Sequence, residues 1–108
     1  MKIVNFAEKN SELNRFVAEI RDIHIQQDRL RFRKNLERIG EVMSYEISKD
    51  FRYSEKLVTT PLGTARVNTA DDKIVIGTIL RAGIPYHQGF LNYFDRAENA
   101  FVSAYRKY

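Results

Sequence analysis

Residues 73–80 read Lys-Ile-Val-Ile-Gly-Thr-Ile-Leu and break at once into Arg81-Ala82-Gly83, followed by Ile84-Pro85. An apolar, β-branched run of this kind, with no polar face, predicts a strand buried on both sides, as in the centre of a parallel sheet. Parallel neighbours need a crossover, which is usually helical. Pro85 suits a first helical turn. Phe90, Leu91 and Phe94 supply an inner face for a helix, Asp95-Arg96-Ala97-Glu98 reads as a turn, and Asn99–Tyr105 returns as a second strand. The expected fold class is α/β, with a βαβ unit over residues 71–108.

Two helices and a hairpin precede that unit. A weak alternation over Lys2–Phe6 predicts a short strand. Asn10 or Ser11 is a candidate cap for a helix with Leu13, Phe16, Val17 and Ile20 on one face, running to about Asp22. Asp28 can cap a longer helix whose apolar stripe is Phe32, Leu36, Ile39, Met43 and Ile47, ending near Asp50. Gly40 inside that stripe costs about 1 kcal/mol against alanine, which predicts close packing at that point. Lys56–Thr60 and Thr64–Asn68 flank Pro61-Leu62-Gly63 as a hairpin, and Thr69–Asp72 reads as a second turn. The chain is therefore expected to be one unit over 1–108. A helical region covers 1–54, a β-hairpin 55–70 and a βαβ start of a core sheet 71–108.

Composition excludes several classes of chemistry. There are no cysteines and two histidines, His24 and His87. A disulfide scaffold, a thiolate zinc site and a cysteine nucleophile are excluded. No apolar run approaches the ~20 residues that span a bilayer, and the N-terminal apolar stretch is too short for a signal-peptide core. The expected location is the cytoplasm. The net charge of +4 suits an anionic ligand, although many domains carry as much.

Arg81 is the most informative candidate. Ligands of open α/β sheets bind at the carboxyl ends of the strands. There Arg81 offers a fork of donors that fits phosphate, Gly83 permits close approach, and the following helix presents N–H groups to an anion. The competing reading of so short a motif is a tight turn with a solvated arginine. Arg106 sits just beyond the next strand, where it is either a second phosphate contact or a surface charge. The basic run Arg29, Arg31, Arg33, Lys34 and Arg38 suggests a nucleic-acid-binding helix as the alternative function, but without interleaved exposed aromatics a solvated face paired with Glu37 and Glu41 is the better reading. His87 reads as a helix-surface or half-buried histidine, His24 as a residue between helices, and Asp71-Asp72 as turn residues rather than metal ligands.

Four segments, in order, resemble one family. Thr78-Ile79-Leu80-Arg81-Ala82-Gly83-Ile84-Pro85 resembles the Pro-Ile-Leu-Arg-Ala-Gly stretch of uracil phosphoribosyltransferases, which are type I phosphoribosyltransferases. Residues 40–49, Gly-Glu-Val-Met-Ser-Tyr-Glu-Ile-Ser-Lys, resemble the helix before that family's hairpin. Thr60–Ala65 resembles the hairpin, and Val102-Ser103-Ala104-Tyr105-Arg106 the strand ending in Tyr-Arg. The likeness runs the length of the chain and is strongest over 28–108. Lys107 departs from the acidic or amide residue that often follows the Tyr-Arg pair.

The resemblance implies transfer of a phosphoribosyl group from 5-phosphoribosyl 1-diphosphate to uracil, giving UMP and diphosphate, with Mg²⁺ carried by the diphosphate substrate. It places Arg81 and Arg106 on that donor, with the backbone of Ala82 and Gly83 near the diphosphate, and assigns no catalytic residue or metal ligand to this stretch. It further implies a homodimer, GTP as an allosteric activator, and no membrane or nucleic-acid partner. Members of the family are about twice this length if ~200 residues is the reference. Their ribosyl-phosphate loop and uracil-binding segment have no counterpart here. The expectation is that this stretch corresponds to the N-terminal half, turns over no substrate alone, and associates rather than remaining a monomer.

Overall fold

The computed structural model describes residues 3–107. Three helices and four strands follow one another as α1 (Leu13–Arg21), α2 (Arg29–Ser48), β1 (Tyr53–Thr60), β2 (Gly63–Ala70), β3 (Val75–Leu80), α3 (Ile84–Tyr93) and β4 (Glu98–Ser103). The molecule is elongated, 59 × 32 × 32 Å.

The expected N-terminal strand does not form. Lys2 lies outside the described residues, and Phe6–Glu8 is a single 3-10 turn whose start is capped by the Asn5 side chain, which accepts from the Ala7 amide at 3.0 Å. A five-residue alternation has no partner strand to pair with, so the local Asx bond decides. At α1, Ser11 acts as expected: its hydroxyl accepts from the Leu13 amide at 3.2 Å. Asp28 caps α2 through the Arg31 amide at 3.1 Å. Arg31 also reaches Glu19 at 2.8 Å and so ties α2 to α1.

The core is built on a close crossing of α2 and α3. The face that α2 buries is small and polar, namely Asn35, Ile39, Gly40 and Ser44, with the Ser44 hydroxyl donating to the Gly40 carbonyl at 2.7 Å. Gly40 faces Gly89. A Cβ on Gly40 would stand 2.5 Å from the Tyr86 carbonyl oxygen, and one on Gly89 would fall inside the Glu37 carbonyl oxygen and 2.9 Å from the Glu41 nitrogen. The close packing expected at Gly40 is thus met by a second glycine on α3. Phe32 and Ile47, at the two ends of the expected stripe, are left partly exposed.

Tyr86 lies beside this crossing, edge-on to Phe90 at 5.0 Å, with its hydroxyl donating to Met43 Sδ at 2.8 Å. Burial pushes its pKa above the ordinary value of 10.0. The folded state therefore holds this proton more tightly than the unfolded chain does. The associated stability is whole below the unfolded pKa and is lost as pH rises through the folded one. Tyr86→Phe removes the group. The variant's Tm is expected to fall less than that of the parent between pH about 9 and about 11, as read by thermal unfolding in a pH series.

The hairpin forms as expected and is longer. Pairing runs from Thr60↔Gly63 to Tyr53↔Ala70, which recruits Thr69 and Ala70 into the ladder and leaves the following turn to begin at Asp71. Its backbone lies against no other helix or strand, and at its base the Tyr53 hydroxyl donates to the Ser48 carbonyl at 2.7 Å.

β3 and β4 pair in parallel, from Val75↔Glu98 to Leu80↔Ser103. β4 ends at Ser103 rather than Tyr105 because β3 has no residue left to pair with. The face carrying Ile76 packs beneath α3. The opposite face is bare, with Val75 61%, Ile79 62% and Val102 58% exposed. Burial on both sides of β3 is therefore not met among the described residues.

Candidate functional site

The parallel register carries Arg81 and Arg106 to the same end of the β3–β4 sheet. Leu80 and Ser103 are the last pair of the ladder. Arg81 follows its strand directly, whereas Arg106 stands beyond a short irregular stretch. Both are exposed, and neither guanidinium has a hydrogen bond or ion pair with the described residues. Most other arginines of known placement are engaged. Arg15 bonds Glu12 at 2.8 Å and Glu19 at 3.1 Å, Arg31 bonds Glu19, and Arg38 bonds Asn35 at 3.1 Å.

The turn between β3 and α3 is tightly wound. The Leu80–Arg81 peptide is cis. The Gly83 amide donates back to the Ile79 carbonyl at 3.2 Å, the Ile84 amide to the Arg81 carbonyl at 3.1 Å, and the His87 amide to the Gly83 carbonyl at 2.8 Å. A Cβ on Gly83 would meet the Ile79 carbonyl oxygen at 2.7 Å and Thr78 Cγ2 at 2.8 Å, so the turn folds down onto the strand it leaves. The Gly83 amide is therefore already committed. The Ala82 amide has no partner among the described residues, and neither does the Tyr86 amide in the first turn of α3. Exposed guanidinium, open amide and helix start together make an arrangement suited to a phosphate oxygen.

Three other expectations are resolved here. The basic residues of α2 are largely spent locally: Arg31 on Glu19, Lys34 near Glu37 at 3.9 Å, and Arg38 on Asn35 and over the Phe16 ring at 5.5 Å. Glu41 does not pair with them and instead accepts from Asn92 at 3.4 Å. Asp71 and Asp72 lie in an exposed connection, and no group of three or more acidic, histidine or cysteine residues is gathered for a metal among the described residues.

His87 departs most from expectation. It is 6% exposed, held between β3 and β4 by Thr78 and Asn99 and stacked at 4.9 Å against Phe101. Sequence spacing hid these partners because they come from two different strands. The alternation that puts Ile76 and Thr78 on one face of β3, and Asn99 and Phe101 on one face of β4, was the available signal.

Comparison with known proteins agrees with this geometry. The family model "Uracil phosphoribosyltransferase" matches residues 7–108. The chain belongs to the uracil phosphoribosyltransferase family. It is 61% identical over 108 residues to the uracil phosphoribosyltransferase of Porphyromonas gingivalis, covering 100% of this chain and 50% of that protein. It is 37% identical over 92 residues to that of Pyrococcus furiosus, covering 83% of this chain and 39% of that one. Among solved structures, the AQ2163 protein from Aquifex aeolicus superposes with a TM-score of 0.76 at 30% identity, over 92% of this chain and 47% of its own. The chain thus spans half or less of the length of these relatives. It is a phosphoribosyltransferase-type α/β chain, with helices and a hairpin before a parallel βαβ unit.

Proposed function

We propose that this chain serves transfer of a phosphoribosyl group from 5-phosphoribosyl 1-diphosphate to uracil, and that its own part in that reaction is to hold the diphosphate. The observation that carries this is the unpaired Arg81 beside the open Ala82 amide, at the carboxyl end of a parallel strand in a chain of this family. As the glycosidic carbon loses diphosphate, negative charge collects on the leaving oxygens. A fixed guanidinium and amide aimed at that charge stabilise the transition state more than the ground state. Arg106, at the same end of the sheet, would contact the same donor, and Gly83 would let the backbone come close to it. Mg²⁺ would arrive on the diphosphate as part of the substrate. The cytoplasm is the compartment where these substrates would be met; no helix among the described residues is long and apolar enough to cross a membrane.

The direct test is conversion of labelled uracil to UMP by the full product of the open reading frame that contains this chain. Turnover dependent on 5-phosphoribosyl 1-diphosphate and Mg²⁺ is expected, and its absence would defeat the proposal. The 108-residue chain by itself is expected to show none. Activation by GTP rests on the resemblance alone, and the same assay with and without GTP reads it.

Self-association is supported by surface that the fold leaves uncovered. The hairpin exposes Tyr53, Leu57, Leu62 and Val67, and an isolated two-stranded hairpin is marginal without something packed on it. The bare face of β3 and β4 adds Val75, Ile79 and Val102. A homodimer is the assembly proposed for the active protein. The 12.7 kDa chain alone is expected to scatter light as a dimer or larger species at tens of micromolar. A monodisperse monomer with cooperative unfolding would contradict that expectation.

A further inference from the structure

We infer that His87 and Thr78 act as positioning residues for the diphosphate-holding turn, an inference that rests on the donor-site reading above. Thr78 stands three residues before Arg81 and touches the turn twice over. Its methyl group lies where a Cβ on Gly83 would go, and its hydroxyl is bonded to His87 Nδ1. His87 sits one turn into α3, and its amide holds the Gly83 carbonyl at 2.8 Å. Its Nε2 bonds Asn99 Oδ1 at 2.7 Å, on the strand that leads to Arg106. One imidazole therefore joins β3, α3 and β4, the three elements that frame Arg81 and Arg106.

The bonding pattern defines the ring's state. The carbonyl oxygen of Asn99 accepts, so Nε2 carries a hydrogen. Nδ1 then accepts the hydroxyl hydrogen of Thr78, and the neutral ring is fully used. Phe101 covers its face at 4.9 Å. The side chains next to it are otherwise apolar or amide, so no carboxylate or cation is bonded to it. Thr78 also occupies the position of the proline in the family stretch that this segment resembles. A proline has no hydroxyl, so the Thr78–His87 link is a feature of this chain's version of the turn. It fixes the height of the turn above the strand, and with it where the Arg81 guanidinium and the Ala82 amide sit.

The test uses the full product of the open reading frame, with initial rates measured while the donor and uracil are varied separately. Thr78→Val removes the hydroxyl and keeps the shape, whereas Thr78→Ser keeps the hydroxyl. Thr78→Val is expected to raise KM for the donor by about fivefold to tenfold, the scale of one lost hydrogen bond, with KM for uracil changed less than about twofold. Thr78→Ser is expected to restore the donor KM. His87→Ala should shift the donor in the same sense if it folds, but the threonine pair decides the outcome because shape is conserved. An unchanged donor KM in Thr78→Val, equal changes for both substrates, or a Thr78→Ser variant no better than valine would overturn the positioning role. Arg81→Ala in the same series separates the two levels. If Arg81→Ala leaves donor KM unchanged, the donor-site reading itself fails. If Arg81→Ala raises it and Thr78→Val does not, only the positioning role falls.

Discussion

Gly89→Ala is expected to destabilise the protein by about 3 kcal/mol, the upper part of the range for overpacking a tight interior. Helix propensity alone predicts the opposite sign, a gain of about 1 kcal/mol for alanine over glycine in a helix interior. The crossing decides between them. The added Cβ would overlap the Glu37 carbonyl oxygen and press on the Glu41 nitrogen and Gly40 Cα, all of them backbone that cannot rotate away. Relief requires α2 and α3 to move apart along the contact that forms most of the interior. For a chain of this size the loss corresponds to a Tm lower by roughly 10–20 °C. Gly77→Ala is the control: nothing lies within 4 Å of a Cβ there, and alanine is expected to be neutral or mildly stabilising. Thermal unfolding by circular dichroism of the two variants reads both signs in one experiment. A Gly89→Ala variant as stable as the parent would mean that the helices are not in backbone contact.

Arg81→Ala is expected to lower kcat/KM for 5-phosphoribosyl 1-diphosphate by about 10²-fold or more in the full product of the open reading frame, the scale of losing one preorganised electrostatic stabiliser. Arg106→Ala should impair donor use as well. Uracil affinity should change less than donor affinity in both. The effect on folding should be small, because neither guanidinium has a partner among the described residues whose loss would strand a buried group. Arg81→Lys keeps the charge but loses the planar fork, so recovery is expected to be partial. Steady-state kinetics with each substrate varied in turn checks these outcomes. Full activity in Arg81→Ala would remove the residue from the site.

Local chemistry made much of this fold legible. The Asp28 cap, the Pro61–Gly63 turn and Pro85 at the start of α3 are decisions taken within a few residues, and each stands where sequence alone puts it. The Arg81 turn was legible for the same reason: an apolar strand ending in Arg-Ala-Gly before a proline has few ways to fold. What stayed hidden depends on which distant segments meet. Gly40 could be read as a point of close approach, but nothing in its own neighbourhood named Gly89 as the other side. His87 looked unpartnered because Thr78 and Asn99 reach it only once β3 and β4 lie side by side. The Lys2–Phe6 alternation failed in the reverse direction, since a strand requires a neighbour and a local side-chain bond at Asn5 does not. The open face of β3 follows from the same dependence. Its apolar composition marks a surface to be covered, while the described residues supply a helix for one side only.

The most direct measurement is a crystal structure of the full open-reading-frame product with Mg²⁺ and 5-phosphoribosyl 1-diphosphate bound. The account requires the diphosphate to lie at the carboxyl ends of β3 and β4, with its oxygens within hydrogen-bond distance of the Arg81 guanidinium and the Ala82 amide. A donor bound elsewhere, with Arg81 left in solvent, would contradict it.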